Sequence, residues 1–168
     1  MKFGGTSVGT ARAMQQAISI VAREEKKGTP LVVLSACSGI TNKLVHIADA
    51  AGCSALDEAM ALAGEVRSFH LKLVDELIKN AALKAGLAST IEQLCGRLEM
   101  LIKGVDIVGE LTERSRDMFC SFGELFSTTV FAAAMKELGH KGSKPIAAAS
   151  ASGKLTYNRG CCPWERLA

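Results

Sequence analysis

Residues 31–42 read LVVLSACSGITN, and the fold class turns on this stretch. LVVLSA at 31–36 is an unbroken run with the length and composition of a buried strand, and Gly28 and Pro30 end the helical pattern before it. CSGITN supplies small loop residues. Apolar positions then return at helical spacing at Leu44, Val45, Ile47, Ala48 and Ala51, closed by Gly52. A strand that runs through a small-residue loop into a helix is the building unit of an α/β protein.

The N-terminal side repeats the pattern. KFGGTSVGTA at 2–11 passes from an extended stub through a glycine pair into small polar residues, and Met14, Ala17, Ile18 and Val21 follow with helical periodicity. A glycine-rich turn between a strand and a helix start presents backbone N–H groups to an anion such as phosphate. Gly4 and Gly5 allow close backbone approach, Thr6 and Ser7 add hydroxyl donors, and Lys2 places a cation before the loop. The order excludes a Walker motif, whose lysine follows its glycines. On the loop alone, a plain turn with a solvated Lys2 is an equal reading.

Downstream the pattern is helical. Ser54 with Asp57 three residues on is expected to start a long helix whose stripe is Leu56, Met60, Ala63, Val66, His70, Leu73 and Leu77. Ser89 with Glu92 has the form of a capping box and is expected to open the next helix, packed on its predecessor as a hairpin. Beyond Gly104, residues 109–139 are expected to form a charged turn and a long helix closed by Gly139. Glu124 sits there among Phe122, Gly123, Leu125 and Phe126, where a wet helix face is doubtful and an unpartnered carboxylate would be costly. His70 is read as a core histidine with no chemical role.

Composition bounds the rest. The chain has 168 residues, 48% apolar and only 5% aromatic, enough for one domain in which closely packed helices dominate. The net charge is +3, and residues 140–168 hold five basic residues against Glu165, so the body is nearly neutral and lacks the basic face of a nucleic-acid binder. That last segment also carries two of the three prolines and the only Tyr and Trp, and it has no periodicity. It is expected to be an irregular tail, with a boundary near 141. Six cysteines without CxxC spacing or histidine partners read as reduced, structural thiols, and no metal site is expected. With no signal-peptide pattern and no unbroken apolar span of about 20 residues, a cytoplasmic protein off the membrane is expected.

In KFGGTSV, LSACSGITN and ELTERSRDMFCSFGE, taken in order, the chain resembles the aspartokinases of the amino-acid kinase superfamily over residues 1–141. The resemblance implies an α/β/α sandwich of the amino-acid kinase type, truncated and helix-rich with a small, mainly parallel sheet. It implies transfer of the γ-phosphoryl of ATP, with Mg²⁺, to the side-chain carboxylate of L-aspartate, in the biosynthesis of lysine, threonine and methionine. By motif match Lys2 neutralises charge on the moving phosphoryl group, and Phe3, Gly4, Gly5, Thr6 and Ser7 form the loop at the nucleotide phosphates. Ser35 and Thr41 contact the amino-acid substrate, and Glu124 recognises its α-ammonium group. Arg114, Ser115 and Asp117 also match a family segment, but local ion pairing at a helix start, involving Arg114, Arg116 and Asp117, is the favoured reading. A homo-oligomer or a kinase-subunit partner is compatible with the match.

The chain also departs from the family. Aspartokinases carry an apolar strand before the lysine, whereas Met1 precedes Lys2 here, which weakens the preorganisation of the loop. The segment 142–168 matches no family pattern, and a shifted reading frame or a damaged or truncated gene copy would account for it. The arginine-containing substrate motif, the adenine-holding segments and the regulatory domains have no counterpart, so a fragment with little stand-alone activity is expected. The alternatives are a non-catalytic interaction domain derived from a kinase, marked by an exposed apolar sheet edge, and another amino-acid kinase.

Overall fold

Parallel pairing of β1 (Lys2–Phe3) with β2 (Val33–Leu34) sets Lys2 opposite Val33 and Phe3 opposite Leu34. The computed structural model describes residues 1–140; the tail expected at 142–168, and its boundary, lie outside the described residues. Two helices, α1 (Gly5–Val8) and α2 (Ala11–Glu25), connect the strands. They are followed by α3 (Ile40–Gly52), α4 (Leu56–Leu77), α5 (Ala81–Val108) and α6 (Glu113–Glu137). The architecture is α/β and helix-rich, with a small parallel sheet.

The core is helical. Phe119, Phe122 and Phe126 of α6 are fully buried with Leu44 and Ile47 of α3, Val66 of α4, and Ile91 and Leu98 of α5. Burying each such side chain contributes about 1.5–3 kcal/mol before the entropy of ordering it is counted. The apolar composition of α6 meets the length and hydropathy expected of a membrane span, which the sequence reading did not anticipate. Half of that window is buried inside the protein, and a core helix accounts for it.

The predicted hairpin is present, but its second helix starts earlier than expected. Asn80 is the cap, its side chain accepting from Leu83 N at 3.0 Å, and the helix runs through Ser89 without a break. Glu92 is not a capping partner. It receives Arg67 of α4, whose Nε donates at 2.7 Å, so the carboxylate ties the hairpin together. α5 likewise continues through Gly104 and ends at Gly109, whose φ of +69° supplies the left-handed cap. At the start of α4 the cap is Ala55, without a side-chain bond, because Ser54 is in the left-handed region at φ +57° and cannot serve as an extended N-cap. The α4 stripe is shifted accordingly: Ala59 and Val74 are buried, whereas Leu56 and Met60 are only half-buried. The carboxylate of Glu137 at the end of α6 accepts from Lys79 N and Asn80 N, both at 2.7 Å, and closes the turn between α4 and α5.

The strand expected at 31–36 is present as β2, Val33–Leu34, but it is buried on one face only. Leu34 faces the core at 7% exposure, but Val33 is 48% and Leu31 80% exposed. Alternation along a strand sends neighbouring side chains to opposite faces, and among the described residues only one face is covered here.

The thiols are also unequal. Burial pushes Cys37 up to about 12 and Cys95 up to about 11, while Cys53, grouped with them as a structural thiol, is exposed. Among the cysteines of the described residues, alkylation at pH 8 followed by peptide mapping should therefore modify Cys53 first and reach Cys37 and Cys95 only in denaturant. Equal labelling of Cys37 and Cys53 in the folded chain would contradict this packing.

Candidate functional site

Both strands end in small-residue loops on the same side of the sheet, and the loops are joined by backbone. Ser35 N donates to Phe3 O at 3.0 Å, and Ser38 N donates to Gly5 O at 3.1 Å. The glycine positions follow from that proximity. A Cβ on Gly5 would lie 2.8 Å from the carbonyl oxygen of Ala36, and one on Gly9 would lie 2.9 Å from Gly5 O and 3.0 Å from Cβ of Ser38. Below them the Cys37 thiol donates to Val8 O at 3.1 Å. The glycine loop and the CSG loop are thus one structural unit.

Gly4 is the extended N-cap of α1, Ser7 N donates to Gly4 O at 2.9 Å, and Thr10 caps α2 by accepting from Ala13 N at 3.2 Å. Lys2, Gly4 and Thr6 are exposed, and Phe3, Gly5 and Ser7 are half-buried. Phe3 also lies 6.5 Å, ring centre to ring centre, from Phe131 of α6, which anchors the short β1 to the core. Thr41 is exposed in the first turn of α3, directly after the second loop.

The third element, α6, reaches the same place. Gly123 packs so closely on the second loop that a Cβ there would fall 2.6 Å from Cβ of Ala36. One residue on, Glu124 is half-buried, and burial raises its carboxyl above the ordinary range while the backbone N–H groups of Glu124 and Ala36 pull it partly back. A cation beside it would favour the charged form. Ser127, fully buried one turn later, donates to Ser35 O at 2.9 Å. Ser127 escaped the sequence reading because a lone serine inside an apolar helix carries no motif; its spacing of three from Glu124 was the available signal.

The structure therefore gathers the glycine loop, Ser35 and Glu124, with Thr41 at the helix start alongside. The ERSRD segment does something different from the local pairing expected of it. Arg116 reaches across to Asp49 of α3 at 2.7 Å, and Thr112 caps α6 by accepting from Ser115 N at 3.1 Å. Among the described residues, no ion pair joins Arg114 to Asp117.

Loops at the carboxyl ends of parallel strands, closed by a helix carrying a half-buried carboxylate, define an α/β protein of the class that binds ligands at the strand ends. The chain belongs to the amino acid kinase family, whose model matches residues 1–158 and so continues past the boundary expected near 141. Its relatives are aspartokinases. Aspartokinase 3, chloroplastic, of Arabidopsis thaliana is 39% identical over 145 residues, 84% of this chain and 24% of the relative. The aspartokinase of Saccharomyces cerevisiae is 30% identical over 150 residues, 83% of this chain and 28% of the relative. E. coli aspartokinase III in complex with aspartate and ADP (R-state) matches the structure with a TM-score of 0.68 at 28% identity, covering 82% of this chain and 28% of that one. The same enzyme in complex with lysine and aspartate (T-state) matches at 0.70 and 28% identity, over 83% and 29% of the two chains. The chain spans about a quarter of the length of the three Arabidopsis aspartokinases it matches.

Proposed function

We propose that residues 1–141 are the N-terminal part of an aspartate kinase domain, and that the site built here binds L-aspartate beside MgATP. The observation that carries the reading is Glu124: a half-buried carboxylate, raised by burial and held against the end of β2, suits the α-ammonium group of an amino acid. The aspartate and ADP held by E. coli aspartokinase III support the same substrates here.

In this reading Ser35 and Thr41 orient the amino acid so that its side-chain carboxylate faces the nucleotide. Phe3, Gly4, Gly5, Thr6 and Ser7 line the phosphates, and Lys2 meets the charge on the γ-phosphoryl group. An oxygen of the aspartate side chain forms a bond to the γ-phosphorus as the bond from phosphorus to the β,γ-bridging oxygen breaks, giving aspartyl phosphate and ADP. Bound with the nucleotide, Mg²⁺ would supply further neutralisation of phosphate charge beside Lys2 and the glycine loop. Positioning and charge neutralisation are most of what such a transfer requires. The proposal includes a place in lysine biosynthesis and, from the sequence expectation, a cytoplasmic location, although the Arabidopsis relatives are named chloroplastic.

Calorimetric titration of the 168-residue chain with L-aspartate and with MgATP separately tests it. L-Aspartate should bind, and Glu124→Gln should weaken it by roughly 30-fold or more, the scale of a hydrogen-bonded charge pair. Formation of aspartyl hydroxamate by this chain alone should be small, because it spans only a quarter of its relatives. Aspartate binding that ignores the Glu124 substitution would remove the reading.

The exposed apolar edge at Leu31 and Val33 favours a second reading, an interaction domain derived from a kinase. Binding of neither ligand would select it.

A further inference from the structure

Ser127 and Glu124 stand one helical turn apart on α6, and both face the same peptide group, the one joining Ser35 to Ala36. Ser127 Oγ donates to its carbonyl oxygen at 2.9 Å, while its N–H is turned toward the Glu124 carboxylate. Gly123 brings the helix close enough for both contacts. Ser35 N is committed to Phe3 O at 3.0 Å, which ties the same residue to the strand carrying Lys2. Ser127 is fully buried, and its second contact, to Glu124 O at 3.2 Å, lies within its own helix. A serine that merely satisfied its hydroxyl would need only that intrahelical acceptor. The 2.9 Å bond to another element, 92 residues away in sequence, is a tertiary clamp.

We propose that Ser127 is a positioning residue of the site: by holding the Ser35 carbonyl it fixes the peptide whose N–H faces Glu124, and so sets where that carboxylate sits. Without the clamp the peptide is free to turn, Glu124 loses a donor, and its charged form is less well supported. The clamp also couples the two halves of the site, because a shift of peptide 35–36 is passed to β1 through Phe3. The link to substrate rests on the aspartate reading above; the placement of Glu124 does not.

The test is a pH titration of the Glu124 side-chain carboxyl by NMR in the 168-residue chain labelled with ¹³C-glutamate, for the unaltered protein, Ser127→Ala and Ser127→Cys. Cysteine keeps the volume but is a weak donor, so it separates the hydrogen bond from packing and remains available should the alanine variant fold poorly. Both variants should raise the Glu124 midpoint by about half a unit to one unit and weaken L-aspartate binding by roughly tenfold, with thermal unfolding still cooperative. An unchanged or lowered midpoint in both, or a cysteine variant indistinguishable from the parent, would overturn the proposal. Failure of the parent chain to bind L-aspartate would count against the substrate reading alone, since the titration reads Glu124 with no ligand present.

Discussion

Between pH 7 and pH 4 the folded chain should lose about 3 kcal/mol of stability through one residue, His70. Its ring is fully buried and stacked on Phe126 at 4.4 Å, with Phe69 edge-on at 5.0 Å. Nδ1 lies 2.8 Å from Val66 O and serves as the donor of a neutral ring, while Nε2 has no partner among the described residues. Burial pushes the imidazole down to about 4 from its ordinary 6.5. A folded value below the unfolded one means that the unfolded chain takes up the proton first. The stabilisation is therefore complete above about pH 6.5 and is lost as pH falls through the folded value. A gap of two to three units at 1.36 kcal/mol each gives the stated magnitude. Urea unfolding at pH 7 and pH 4.5, compared with His70→Leu, isolates it: the variant should lose most of this pH dependence yet stay near the parent at pH 7, because the unpaired Nε2 is removed. An unchanged slope in the variant would show that His70 is not the group responsible.

Substituting Gly123 should have an effect of similar size. A Cβ there falls 2.6 Å from Cβ of Ala36 and 3.3 Å from Cδ1 of Leu44, so α6 must move away from the second loop. Gly123→Val is expected to cost about 3 kcal/mol, against a typical overpacking cost of about 1–3, because the branched side chain also meets its own helix. Gly104 of α5 is the contrast, since a Cβ there meets nothing within 4 Å. Gly104→Ala should stabilise the protein by about 0.5–1 kcal/mol through helix propensity and so raise its melting temperature. Thermal melts of the pair check both signs. If Gly123→Val melted like the parent, the close approach of α6 to the second loop would be wrong.

The gathering of the candidate site's elements was more legible in the sequence than the helix boundaries. Glycines and small polar residues after an apolar run have few other uses, and Glu124 among aromatic neighbours had no comfortable surface position. The misjudged starts at Ser54 and Ser89 share one cause: capping residues are ambiguous until the chain around them is placed. Ser89 lies within a helix that Asn80 had already opened, and Glu92 pairs with Arg67 instead. Val33 and Leu31 were assigned to a buried strand because an apolar run does not reveal how many faces will be covered. The contacts of Ser127 and Arg116 were beyond reach for a related reason: their partners Ser35 and Asp49 are distant in sequence, and no local pattern names either partner.

The 92-residue separation between Ser127 and Ser35 has a consequence for how the protein is made. The antiparallel pair α4 and α5 is joined by a short turn, so it closes over local distances at low entropic cost. The two glycine-bearing bends must instead wait for α6 to leave the ribosome before their closing contact exists. Stalling translation before codon 127 should yield a chain with the α4–α5 hairpin formed but with the two bends untied from α6.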